Sequence, residues 1–141
     1  MQRDVAIEIM KLFGTTLRTV GKFRDLATYW NYIADEKKKV TKEQEKEAKD
    51  ELVKAQGEML EHLAIYWQLG EVSRLVFSSK VQAHLEEVRE GYHKMLNAIW
   101  AYEMISAETY GPSMEKIMAK EEALAAAIRN ELGFDSNSAL S

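Results

Sequence analysis

The stretch Met59–Phe77 (MLEHLAIYWQLGEVSRLVF) constrains the fold more than any other part of the chain. At helical spacing it carries apolar residues on almost every side. Met59, Leu63 and Tyr66 make one row, Leu60, Ala64 and Trp67 a second, and Ile65, Leu69, Val72 and Val76 a third. A helix that is apolar nearly all round has to be covered nearly all round. The expectation is therefore a central helix in an all-helical protein, with Trp67 well buried beside Leu60 and Ala64. Truncating a tryptophan so placed to alanine would cost about 3–5 kcal/mol.

The remainder of the chain supplies helices to cover it. With 141 residues the protein has the length of one domain, able to bury roughly two-thirds of its unfolded surface. One proline, seven glycines and no sustained alternating pattern favour long helices over sheet. The first helix is expected over about 3–38. Its seam is Val5, Ile9, Leu12, Thr16, Thr19, Phe23, Leu26, Trp30 and Ile33, widened by Phe13, Val20, Ala27 and Ala34. Gly14 and Gly21 lie seven apart on one face and each weakens the helix by up to about 1 kcal/mol relative to alanine. Close approach of a neighbouring helix is one reason to have them.

The seam dissolves in Asp35–Glu51 (DEKKKVTKEQEKEAKDE), where only Val40 and Ala48 are apolar. Thr41 and Gln44 fit a capping box, so a helix restarts near 41 and the charged stretch becomes the tip of a protruding antiparallel hairpin. One unbroken helix through 1–56 is the competing arrangement. A second helix spans about 42–77, and Ser79 with Gln82 offers a second capping box. The third, about 80–110, has the cleanest seam: Val81, Leu85, Val88, Tyr92, Met95, Ile99, Tyr102 and Ser106. Gly111-Pro112 should end it and open a fourth over about 112–132, with Met114, Ile117, Met118, Leu124, Ile128 and Leu132 inward. Gly133 followed by Phe134 reads as a Schellman stop, with Phe134 folding back near Ile128. The fold expected is an all-α, antiparallel up-down bundle of four helices in one domain, 1–134, with a polar tail at 135–141. LATYWN, LAIYWQ and LNAIWA at 26, 63 and 96 echo one another, but their unequal spacing argues against a repeat.

Composition removes several functions. Without cysteine there are no disulfides, thiolate metal sites or cysteine nucleophiles. A net charge of −4 leaves no basic field for nucleic acid. No run of eighteen apolar residues exists to span a bilayer, and Asp4 and Glu8 interrupt any signal-peptide pattern, so the cytoplasm is the expected compartment. A four-helix bundle raises the question of a carboxylate-bridged metal pair, which needs two Glu-x-x-His motifs. Glu90-Gly-Tyr-His93 is the one copy, and both residues fall on the outward side of their helix. Catalytic, cofactor-binding and metal residues are accordingly none. His62 and His84 flank their seams as partly buried, hydrogen-bonded histidines, and no glycine-rich loop cradles phosphate.

Two groups of residues remain as interaction or pocket candidates. Trp30, Tyr66, Trp67 and Trp100 come from three helices and have polar tips suited to rims, pockets and interfaces. Lys37, Lys38 and Lys39 form the only basic run, ringed by acids. A charged helical hairpin ending in lysines, with AKDELVKAQGEMLEHLAIYW and HLEEVREGYHKMLNAI within 48–99, resembles the second and third helices of BAR-type membrane-curvature modules. That resemblance covers under half the chain, rests on generic helix formers, and meets a net charge of the wrong sign for anionic lipid. The expected function is therefore a non-catalytic bundle acting through protein–protein contact, as a homo-oligomer or with a protein partner. Binding of a small apolar or aromatic ligand between helices is the alternative, and a membrane-surface module the third.

Overall fold

The computed structural model describes residues 1–34, 40–103 and 106–133. Four helices follow in order: α1 (Gln2–Ile33), α2 (Lys42–Ser73), α3 (Ser79–Trp100) and α4 (Ala107–Leu132). Each packs against the next, giving the up-down helical bundle that the seams predict.

α1 and α2 form a hairpin rather than one continuous helix. Thr41 starts α2 with both bonds of the expected capping box: its Oγ1 accepts from the Gln44 N–H, and Gln44 Oε1 accepts from the Thr41 N–H, each at 3.0 Å. Along the pair, Gln2 Nε2 donates to the Val76 carbonyl at 2.6 Å, and Thr16 and Thr19 both meet His62. These contacts fix an antiparallel register. The tip, Asp35 to Lys39, lies outside the described residues.

α2 stops four residues earlier than its pattern suggests. The Ser73 hydroxyl donates to the Gly70 carbonyl, and the chain then tightens, with Leu75 N–H bonding Val72 and Phe77 N–H returning to Ser73. This turn swings Phe77 into the core. The second capping box does not form. Ser78 is the N-cap of α3, and its N–H and hydroxyl both donate to the Glu131 carboxylate at 2.7 Å. A side chain from α4 thus caps α3.

The break between α3 and α4 also falls elsewhere. α3 ends at Trp100, Tyr102 takes a positive φ of 61°, and Ser106 is the N-cap of α4. Tyr102 and Ser106 therefore leave the α3 seam. Pro112 is the sixth residue of α4, where its missing N–H cannot bond the Glu108 carbonyl. Its first turn is held to α1 by the Arg24 guanidinium, 4.7 Å over the Tyr110 ring. At the other end Gly133 adopts the left-handed conformation, φ 82°, and its N–H returns to Arg129 and Asn130, the glycine stop expected there. Phe134 and the tail 135–141 lie outside the described residues.

One apolar core draws on all four helices. The seams of α1 and α3 are inward as expected, and α3 approaches α4 so closely that a Cβ at Gly91 would meet Ile117 Cγ1 at 3.1 Å. Gly14 has no neighbour within 4 Å of such a Cβ, so the chain's own helices do not account for it.

α2 is not the covered central helix its composition implies. Only the row with Met59, Leu63 and Tyr66 is buried. Leu60 is 51% exposed, Trp67 59%, and Ile65 and Val72 40% each. The reason is topological: α2 touches α1 and α3, while α4 lies across the diagonal and does not reach it. Met118, expected inward, is likewise half exposed, because α1 and α4 meet only lightly and leave a groove.

Candidate functional site

The aromatic candidates are not gathered into one pocket. Tyr66 is fully buried, with its ring 6.5 Å from Phe13 and 5.9 Å from Tyr92. Trp67, the next residue, turns outward and shares a shallow α2–α3 groove with Gly70, Arg74 and Arg89. Trp100 stacks on Phe23 at 6.1 Å, and Trp30 packs half-buried against the core. Neither lines the groove beside Trp67. Lys37, Lys38 and Lys39 lie outside the described residues.

What the bundle does bring together is a polar layer through its middle, with members from every helix. Thr16 of α1, fully buried, meets His62 Nδ1 at 3.2 Å, and Thr19 meets His62 Nε2 at 3.2 Å. Burial lowers the His62 pKa below its ordinary value, partly offset by the nearby Glu58 and Glu61. The Tyr66 phenol lies near Thr16, but its oxygen is buried without a hydrogen bond of good geometry. Tyr92 donates to Glu121 Oε2 at 3.2 Å. Burial pushes both phenols up and lifts the Glu121 carboxyl to about 7, the Tyr92 hydrogen bond acting the other way on the acid.

Glu121 reaches the surface in the groove between α1 and α4, a cavity of about 460 Å³ walled by Phe13, Met118, Ala119 and Ala125. Glu115 and Glu122 stand at its edges. A separate hollow lies further along α1 and α4, between Ala6, Ile7, Met10, Ile128 and Leu132, with Arg3, Lys11 and Arg129 also in its lining. This site was legible in one respect only. Glu121 falls on the 3–4 spacing of Met114, Ile117, Leu124 and Ile128, so an acid sits in line with core positions.

Glu90 and His93 are both exposed, and among the described residues no three His, Asp or Glu side chains are grouped to hold a metal ion. No described helix is long and apolar enough to cross a membrane. No protein-family model, curated protein or solved structure matches the chain.

Proposed function

We propose that the protein is non-catalytic and acts by self-association through the outer face of α2. The observation that carries this reading is the uncovered row Val53, Leu60 and Trp67, each about half exposed or more and spaced by seven residues. Gly57 and Ala64 fall between them at the alternating three- and four-residue steps of a helix–helix seam. A Cβ at Gly57 would meet nothing within 4 Å. The seam thus alternates large and small residues, with open space over the small ones.

Such a seam fits a second copy of itself. With a two-fold axis at Leu60, antiparallel α2 helices set Trp67 of one chain against Val53 and Gly57 of the other. The same register places Lys49 opposite Glu71, a charge-complementary rim. Trp is enriched among the residues that carry binding energy at protein interfaces. Sedimentation over a range of concentrations tests the reading. A dimer is expected that Leu60→Glu converts to monomer with helicity retained. A protein that stays monomeric at the highest concentration refutes it.

A further inference from the structure

The geometry points to the α1–α4 groove as a binding site for small organic cations, an apolar body lying along Phe13, Met118 and Ala125 with its ammonium group seated on Glu121. This site is separate from the outer face of α2 and does not depend on self-association.

Charge selects the ligand class. The groove beside Phe13 is bordered by three carboxylates, Glu115, Glu121 and Glu122, and by no basic side chain. Glu121 is half-buried, and its hydrogen bond comes from the neutral Tyr92 phenol; among the described residues no cation pairs with it. An ionised carboxylate in that position lacks the compensation that buried charges normally have. An ammonium group supplies it, whereas an anion meets three like charges and a neutral molecule leaves the carboxylate as it was. Phe13 adds an aromatic face on which a cation or a ring can rest.

Size and shape agree. A hollow of about 460 Å³ falls within the range of small-molecule sites.

The cation competes with a proton for the same oxygen, so binding strengthens as Glu121 ionises. The other groups facing it are Tyr66 from α2, Tyr92 from α3, and Glu115 and Glu122 from α4. α1 presents Phe13 here, while Arg3 and Lys11 of α1 and Arg129 of α4 line the separate hollow further along the two helices. Both phenols are held neutral by burial, which leaves Glu121 as the group expected to titrate near neutrality.

The test is an NMR titration with 2-phenylethylamine, 2-phenylethanol and phenylacetate, following the methyl signals of Met118 and Ala125. At about pH 8 the amine should bind roughly tenfold or more tightly than the alcohol, and phenylacetate more weakly than either. At about pH 5.5 amine affinity should drop roughly tenfold or more, because most of Glu121 is then protonated. Glu121→Gln should reduce amine binding to the level of the alcohol. The pH comparison uses the unaltered chain and so stands even if that variant does not fold. Equal binding of amine and alcohol, amine affinity independent of pH, or no shift at millimolar probe would each overturn the assignment.

Discussion

Tyr92 on α3 donates its phenolic hydrogen to Glu121 on α4 at 3.2 Å, and this bond joins a fully buried ring to a carboxyl that reaches solvent. The phenol stabilises the ionised form of the acid, while burial opposes it more strongly. Tyr92→Phe removes the donor and keeps the ring. The Glu121 pKa should then rise above its value of about 7. Carbon-detected NMR titration of the glutamate carboxyls measures this directly, and an unchanged value would show that the bond does not form in solution.

Stability should depend on pH through two groups of opposite sign. Glu121 binds its proton more tightly in the folded chain, so its contribution is complete below the ordinary glutamate pKa and is lost as pH rises through about 7. Glu121→Gln keeps the neutral shape, and the variant should be more stable than the parent above neutrality. His62 has a lowered pKa, so its contribution is present above the ordinary histidine value and is lost as pH falls through its folded one. His62→Gln should flatten that acid limb. Urea midpoints from about pH 5 to 8 separate the two, and parallel curves for parent and variants would contradict both assignments.

Three helical glycines differ in what surrounds them. Gly14 and Gly57 are helical with open space within the chain where a side chain would go, so alanine should stabilise the fold by about 0.5–1 kcal/mol at Gly14, and at Gly57 in the dissociated chain, where no partner Trp67 faces it. Gly91 faces Ile117 at 3.1 Å, and Ile117 is too well buried to move aside freely. Gly91→Ala should instead lower the midpoint through overpacking. Thermal or urea unfolding of the three variants checks the contrast.

The charged tip should be dispensable for folding. α1 and α2 already pack on each other, with Ala27, Ile33, Ala48 and Leu52 buried, and the capping box adds only about 1 kcal/mol. Replacing residues 35–44 by a short glycine-containing turn changes loop-closure cost little. The shortened chain should keep its helices and melt within a few degrees of the parent; loss of folding would assign the tip a structural part.

Seams on α1 and α3 could be read directly, because each helix there has a single buried face and the 3–4 spacing records it. α2 could not. Leu60 and Trp67 are as apolar as Met59 and Tyr66, and no residue type marks which row meets α1 and α3 and which is left over. Helix ends were legible where they depend on local bonds, as at Thr41–Gln44 and Gly133. They were not where a distant residue decides: Glu131 caps α3 from another helix, and Arg24 steadies the start of α4 ahead of Pro112. The polar layer was half visible. Thr16 and Thr19 stand in the α1 seam, but which partners face them is a matter of register between helices, which spacing along one chain does not encode.

The hydrogen bonds from Gln2 to Val76 and from Ser78 to Glu131 gather both ends of the helical chain and the α2–α3 turn at one end of the molecule. At the other end lies the α1–α2 hairpin, past the Phe23–Trp100 and Arg24–Tyr110 contacts that join α1 to the end of α3 and the start of α4. Resistance to opening should therefore run as a gradient along a single helix. Amides of α1 near Ile9 should exchange with solvent only when the whole bundle unfolds, and those near Ile33 through local fraying, so that one helix reports both the global stability of the protein and the looseness of its arm.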